Sequence, residues 1–174
     1  MASGLSQMIQ VLARHNAHAN TILLREVSQL GTNMLQAARS PSRDSAYQLL
    51  VHLLVAEDNY LSQVRGVERA LRLQGADSLE LLLPVATQHT LLMLEFVSAL
   101  TDDDLEREVS FQFSNGSQLR FPAWQLLTQA LMHSNQHRGE LSVLLSELGH
   151  PLPIDDIIVR FAEESGQPWP FKSL

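Results

Sequence analysis

Hydrophobic periodicity is the feature that most constrains the fold, because apolar residues recur at three- and four-residue spacing along most of the 174-residue chain. This spacing places apolar side chains on one face of a helix. It predicts a first helix over about residues 5–30, ended by Gly31. A second helix, capped by Ser42 or Asp44, is predicted to run to about Val64.

The third predicted helix contains a proline that limits where it can begin. The segment Gly75-Ala76-Asp77-Ser78 opens it, and the pattern continues to about Leu100. Since proline is tolerated in the first turn of a helix, Pro84 places the start near Leu82 or Leu83.

A change of period separates the third helix from the fourth. Apolar and polar residues alternate from Val109 to Phe113, and Asn115-Gly116 then supplies a turn before Leu119 and Phe121. This pattern predicts a small β-hairpin. Pro122 then starts the fourth helix.

The fourth helix is expected to run to about Leu148, where Gly149 ends it. A short fifth helix over about residues 154–164 precedes a tail at about 165–174, whose aromatic residues either dock on the body or a second subunit or remain disordered. The chain length suits one core, so we expect a single domain over residues 1–174. The predicted fold class is all-α: a four-helix bundle with a long crossover, a small β-hairpin before the fourth long helix and a short C-terminal helix.

Charge and composition exclude several classes of function. The net charge of −7 argues against nucleic acid as a partner. One basic cluster, Arg65, Arg69 and Arg72, is predicted to share a helix face, is interrupted by Glu68 and is interpreted as a solvated surface. There is no cysteine, which excludes disulfides, thiolate metal ligands and a protein thiol nucleophile. Sulfur chemistry would need an external thiol.

The N-terminal sequence and the lengths of the apolar runs bear on location. Residues 1–5 lack the charged region and apolar core of a secretory signal, and no uncharged apolar run approaches membrane-spanning length. We therefore expect a cytoplasmic protein with no membrane partner.

Two histidines occupy the apolar stripe of the fourth helix where the pattern favours Leu or Val. The stripe comprises Leu126, Ala130, His133, His137, Leu141 and Leu144. Imidazoles four residues apart point the same way and can bind one divalent cation if another ligand comes from elsewhere. His52, within the apolar run 49–56, is the candidate. Buried histidines also commonly bond carbonyls or carboxylates, so both interpretations stay open.

The other four histidines have weaker claims as ligands. His15 and His18 share the first helix with polar neighbours, although His18 could line a site. His89 lies in the third helix, and His150 occupies a Gly-His-Pro turn.

Several segments together resemble one known family. Residues 131–141 contain His, three residues, and then His-Arg-Gly, with Glu140 following. This segment resembles the fourth-helix motif of the DinB/YfiT-like family of four-helix-bundle metalloproteins, in which Gln usually stands where Glu140 does. Residues 16–20, 49–57 and 148–149 also match, and the order of elements is similar over nearly the whole chain.

The resemblance implies a divalent metal held by His52, His133 and His137. Three neutral imidazoles leave at least one coordination position for water or substrate, as in catalytic sites. Zinc or nickel is the working choice, with iron or cobalt as alternatives. Ser134 stands where a zinc-protease helix needs a Glu base, so peptide hydrolysis is not expected.

Characterised branches of the resembled family are thiol-dependent transferases and isomerases, which implies a low-molecular-weight thiol such as bacillithiol, mycothiol or glutathione. A metal cation stabilises thiolate over thiol. The leading hypothesis is therefore a metal-dependent S-transferase-like enzyme that adds a small thiol to a small electrophile, and a homodimer is expected from the resemblance. Asn20, Glu57 and His18 are candidates for groups around the ligands, and Arg138 for a structural ion pair.

Three alternatives remain. The first is a non-catalytic metal-binding protein, with a closed site that stabilises the bundle or stores the ion. The second is a stress-response or interaction module with a vestigial site. The third is a metal-dependent hydrolase of a small ester or amide, which would act without added thiol.

Overall fold

The computed structural model describes residues 4–69, 78–153 and 156–168. Within them the chain is mostly helical, which confirms the all-α prediction. The long helices are α1 (Gly4–Val27), α3 (Ala46–Arg65), α4 (Leu79–Ser98) and α6 (Ala123–Glu147). The remaining elements are α2 (Thr32–Ala37), α5 (Asp102–Glu106), β1 (Glu108–Gln112), β2 (Gln118–Pro122) and α7 (Ile157–Glu164).

The four long helices form the bundle. Helix α3 packs mainly against α6, whereas α1 packs mainly against α4 and α6. Residues 28–45, which include α2, therefore carry the chain from α1 to a helix that is not its main neighbour. This connection is the long crossover.

Helix α1 ends earlier than predicted. Its last residue is Val27, and the amides of Gln29 and Leu30 then bond carbonyls three residues back. Gly31 does not end α1: its backbone is extended, and it precedes α2, which the periodicity did not predict. A helix of six residues carries too few apolar positions to show a period, and Leu35 is its buried residue.

The predicted caps of the second helix, Ser42 and Asp44, were wrong. Ser45 caps α3, because its side chain accepts a hydrogen bond from the Gln48 amide at 3.2 Å. The predicted end near Val64 is confirmed, since Gly66 follows Arg65 in the left-handed conformation at φ 68°. Ser42 instead contacts α6.

The predicted start of the third helix was also wrong. Helix α4 begins at Leu79, so that Pro84 lies in its second turn. Leu79 and Leu82 are buried, and the Leu79 amide donates to Thr32 Oγ1 at 3.0 Å. These tertiary contacts stabilise a first turn that the exposed Pro84 would otherwise disfavour. Residues 75–77 of the predicted opening segment lie outside the described residues.

Among the described residues, α4 is the one helix long and apolar enough to cross a membrane, with a mean hydropathy of 1.3. This criterion is weak evidence, because core helices of folded domains also meet it. One face of α4, with Met93 and Val97, is buried against the rest of the bundle.

The β-hairpin and the fourth long helix are confirmed. Strands β1 and β2 pair antiparallel, with Val109 opposite Phe121. Gly116 has φ 84°, and its amide bonds the Phe113 carbonyl at 3.0 Å. Pro122 ends β2 and is the N-cap of α6, and Gly149 follows the end of α6 at φ 83°.

The predictions for the C-terminal helix and for the basic cluster differ from the structure. Helix α7 begins at Ile157, and residues 154–155 and the tail at 169–174 lie outside the described residues. Because α3 ends at Arg65, Arg69 does not share a helix face with it. Arg65 stacks on Phe96 at 5.6 Å from the ring centroid, and Arg72 is outside the described residues.

The interior consists of two apolar clusters with polar residues between them along the helices. The first joins the C-terminal half of α1 to the N-terminal half of α3, with Leu23 and Leu50 as members. The second joins the N-terminal half of α1 to the C-terminal half of α3, with Ile9 and Leu61. The intervening buried polar side chains include Asn16, Asn20, Glu57, Asp58, His89, Ser134, His137 and Arg138. The candidate site belongs to this polar layer.

Candidate metal centre

Three histidines from two helices meet in the polar layer. His52 comes from α3, and His133 and His137 come from α6. The Nε2 atom of His133 lies 3.2 Å from His52 Nε2 and 3.2 Å from His137 Nε2. One ring nitrogen from each residue lies within 4.8 Å of the others. The structure therefore brings together the three residues that the sequence singled out.

Helix geometry and helix packing each supply part of this arrangement. The four-residue spacing of His133 and His137 places their rings 4.4 Å apart on one face of α6. The packing of α3 against α6 brings the His52 ring to 5.0 Å from each of them. The predicted stripe is confirmed, since its apolar members are buried and His137 is 7% exposed. His52 and His133 are half-buried, so the cluster is open to solvent on one side.

The surroundings keep these imidazoles neutral. Burial, the Arg43 guanidinium and the other two imidazoles lower the pKa of His52 from 6.5 to about 4. Burial, His137 and Arg43 also lower the pKa of His133, against an opposing effect of the Glu57 charge. For His137, burial lowers the pKa more than the neighbouring Glu140 raises it. At neutral pH the ring nitrogens are therefore free of extra protons and can act as ligands.

The residues present fit a divalent metal. Two nitrogens each about 2.0–2.1 Å from a tetrahedral zinc would lie roughly 3.3–3.4 Å apart, close to the 3.2 Å separations here. Three imidazoles without a thiolate suit zinc, nickel, iron or cobalt. These three histidines could hold a metal ion.

Arg43, in the crossover, contacts the cluster. Its Nη2 atom lies 2.7 Å from His52 Nε2 and 3.0 Å from His52 Nδ1, and its Nη1 atom donates to the Ser42 carbonyl at 2.7 Å. Sequence reasoning missed this residue, because its neighbours Ser, Pro and Asp are typical of a loop. No periodicity could have found it.

Glu140 ties the crossover to α6. It accepts hydrogen bonds from Ser40 Oγ at 2.5 Å, Ser42 Oγ at 2.6 Å and the Ser42 amide at 3.2 Å. Its Oε2 atom also lies 3.8 Å from His137 Nδ1. Burial would raise the pKa of this carboxyl, but the hydrogen bonds from Ser40 and Ser42 lower it. From the sequence, Glu140 is only a small departure from the family motif, whereas in the structure its carboxylate anchors the segment that carries Arg43.

Glu57 is the centre of a buried network beside the histidines. It is fully buried and accepts hydrogen bonds from Asn16 Nδ2 at 2.8 Å and Asn20 Nδ2 at 3.1 Å. Arg138 Nη1 donates to the Oδ1 atoms of the same two asparagines at 2.6 and 2.8 Å. Burial would raise the pKa of Glu57, but interactions with His89, Ser134 and Asn16 lower it. Arg138, predicted to form a structural ion pair, here donates to two neutral amides, and the ion pair stays a prediction.

His89 joins this network from α4. Its Nε2 atom lies 3.6 Å from Glu57 Oε2, and its Nδ1 atom lies 3.6 Å from Asp58 Oδ1. The residue is 3% exposed. The network therefore links all four long helices. His18, by contrast, is exposed on α1 and lies outside the three-histidine cluster.

These features define a helical-bundle protein with a three-histidine cluster compatible with metal binding between two of its long helices. The chain belongs to the DinB family, whose sequence profile matches residues 5–167. None of the curated proteins compared with the chain matches it. Family membership and the cluster together support the interpretation of a DinB-like protein whose three-histidine cluster is compatible with metal binding.

Proposed function

We propose that the protein is a divalent-metal-dependent enzyme that activates a low-molecular-weight thiol for S-transfer to a small electrophile. His52, His133 and His137 are the proposed metal ligands. The observation that carries the proposal is the convergence of their three Nε2 atoms, two pairs of which are 3.2 Å apart.

Two properties of the site favour catalysis over a closed structural or storage site. His52 and His133 are half-buried, so a small molecule can reach the ligand atoms. Three protein ligands also leave a coordination position for an exchangeable group, whereas structural zinc sites use four protein ligands.

A divalent cation bound here would supply Lewis acidity, which stabilises a thiolate at neutral pH. The histidines hold that cation with neutral nitrogens, which is consistent with the lowered pKa of each ring. Glu140 lies 3.8 Å from His137 Nδ1 and fixes the crossover. The buried Glu57 network holds α6 against α1 and α3.

The proposed reaction conserves atoms and charge. The thiol loses its proton to solvent, and the sulfur forms a bond to an electrophilic carbon. Either the leaving group departs with the electron pair of the bond that breaks, or, in an addition, the electrophile takes up a proton. Because the chain has no cysteine, the sulfur comes from the small molecule.

The first test is metal content by plasma mass spectrometry on tag-free full-length protein. We expect about one metal per chain in the wild type and loss of the metal in His52→Ala and His133→Ala. His150→Ala is the matched control, because His150 lies beyond the end of α6 and outside the cluster. Absence of metal in the wild type after reconstitution would refute the proposal.

The metal-loaded protein would then be tested for consumption of electrophile with and without bacillithiol, mycothiol or glutathione. Turnover that requires both thiol and metal supports S-transfer. Turnover of an ester or amide without thiol would favour the hydrolase alternative instead. Light scattering on the same sample tests the proposed homodimer.

A further inference from the structure

A cation lies directly against the three-histidine cluster. The Arg43 guanidinium is within 2.7 Å of His52 Nε2, the atom that faces His133 Nε2. The same Nη2 atom also lies 3.0 Å from His52 Nδ1, so the guanidinium contacts the ring beside both nitrogens rather than along the outward-pointing lone pair that a metal ion would use. Burial lowers the pKa of His52, His133 and His137 most, and the charge of Arg43 lowers it in the same direction.

The backbone that carries this cation is fixed in place. The Arg43 amide donates to Ser40 Oγ at 3.1 Å, and Ser40 Oγ donates to Glu140 Oε1 at 2.5 Å. Ser42, which directly precedes Arg43, donates to the same carboxylate through its amide and its hydroxyl. The Arg43 side chain itself is exposed and can therefore reorient on a held backbone.

The charge of Arg43 suits a ligand outside the chain. Among the described residues, its hydrogen-bond partners are the Ser42 carbonyl and the His52 ring, which are both neutral. Because Arg43 is exposed, its guanidinium can turn towards an anion at the solvent-accessible side of the cluster. A planar guanidinium binds a carboxylate with two parallel hydrogen bonds.

We propose that Arg43 is an anion-binding residue of this site and that it selects a thiol substrate bearing a carboxylate. The proposal rests on the function proposed above, and it adds the substrate class and the residue that recognises it. Arg43 would bind the carboxylate, while the three histidines would hold an ion whose Lewis acidity favours the thiolate.

The test uses full-length protein loaded with cobalt(II) and titrated with two thiols of similar size, mercaptoacetate and 2-mercaptoethanol. Absorption bands of cobalt report ligand binding, and a sulfur-to-cobalt charge-transfer band reports that sulfur is the bound atom. We compare the wild type with Arg43→Gln. Arg39→Gln is the matched control, since Arg39 is exposed on the same crossover and its replacement removes the same charge.

We expect the wild type and Arg39→Gln to bind mercaptoacetate about tenfold more tightly than 2-mercaptoethanol, as for a charge-assisted pair at a partly exposed site. Arg43→Gln should lose this preference and keep the affinity for 2-mercaptoethanol. An equal affinity of the wild type for both thiols, or an unchanged preference in Arg43→Gln, would overturn the role of Arg43 and leave the thiol chemistry standing.

A failure of the proposed thiol chemistry, as opposed to a failure of the role of Arg43, would give a different result in the same experiment. If neither thiol produces a charge-transfer band in the cobalt-loaded wild type, thiol activation is wrong, and so is the selection of a thiol by Arg43. If the wild type binds no cobalt, the metal site and both proposals fall together.

Discussion

His52 on α3 and His133 on α6 are 81 residues apart in the chain, yet their Nε2 atoms lie 3.2 Å apart. Neither ring is fully buried, and each is close to His137 of α6. Two polar nitrogens at this separation need either a shared proton or a shared cation. If the nitrogens share a cation, binding of that cation should stabilise the folded protein.

Zinc should therefore raise the thermal stability of the protein. At zinc concentrations about a hundredfold above the dissociation constant, binding to the folded state contributes about 2.7 kcal/mol. For a chain of this length, that is an increase in Tm of roughly 5 to 10 °C. Differential scanning calorimetry with zinc and then with excess EDTA checks this. His52→Ala should show no increase, and an equal increase in that variant would place the zinc elsewhere.

Acid should destabilise the metal-free protein before its carboxylates titrate. The pKa of His52 is lowered to about 4 in the folded state from an ordinary 6.5, so between these values the unfolded chain binds more protons. Stability therefore falls as the pH drops from about 6.5 towards 4. Urea unfolding in EDTA at several pH values measures this slope. His52→Gln should reduce this dependence of stability on pH. An unchanged slope would contradict the lowered pKa of His52.

Removing the charge of Glu57 should destabilise the bundle. In Glu57→Gln an amide with two donors replaces a carboxylate that accepts from Asn16 and Asn20. A buried donor without an acceptor costs about 1–3 kcal/mol, and more where a charge is involved. Chemical denaturation measures the free energy of unfolding. Glu95→Gln, on the exposed face of α4, should change it by less than about 0.5 kcal/mol. Equal effects of the two changes would argue against the network.

The two serine N-caps should differ in importance. Ser45 accepts a hydrogen bond from the Gln48 amide, whereas the Ser78 side chain makes no cap hydrogen bond. Ser45→Ala should therefore cost about 1 kcal/mol, and Ser78→Ala should cost less than about 0.5 kcal/mol. Parallel urea titrations compare the two. A larger loss for Ser78→Ala than for Ser45→Ala would show that the side-chain cap hydrogen bond does not determine the stability of these helix starts.

Replacing leucine by alanine should destabilise the protein much more in the core than on the outer face of α4. Leu50 is fully buried in the first apolar cluster, whereas Leu91 is 63% exposed. We expect Leu50→Ala to lower the free energy of unfolding by about 2–5 kcal/mol and Leu91→Ala to change it by less than about 0.5 kcal/mol. The denaturant midpoints of the two variants, compared at an unchanged dependence of the free energy of unfolding on denaturant concentration, measure both effects. A large loss for Leu91→Ala would indicate that this face is buried by a second copy.

The sequence by itself determined the long elements and the three histidines, because both depend on short-range periodicity. Four long helices show three- and four-residue spacing, the hairpin shows an Asn-Gly turn, and His133 and His137 interrupt an apolar stripe one turn apart. The helix boundaries were less accurate. The start of α4 depends on the burial of Leu79 and on a hydrogen bond from α2, which no local pattern contains.

Tertiary structure alone decided which distant groups meet. The packing of α3 on α6 brings His52 to the histidine pair, and the crossover lays Arg43 against it. Glu140 anchors that crossover through Ser40 and Ser42, about a hundred residues away in the chain. Glu57 likewise meets His89 only because α4 closes the bundle. Such contacts follow from how apolar faces pack together, whereas sequence periodicity specifies each face separately.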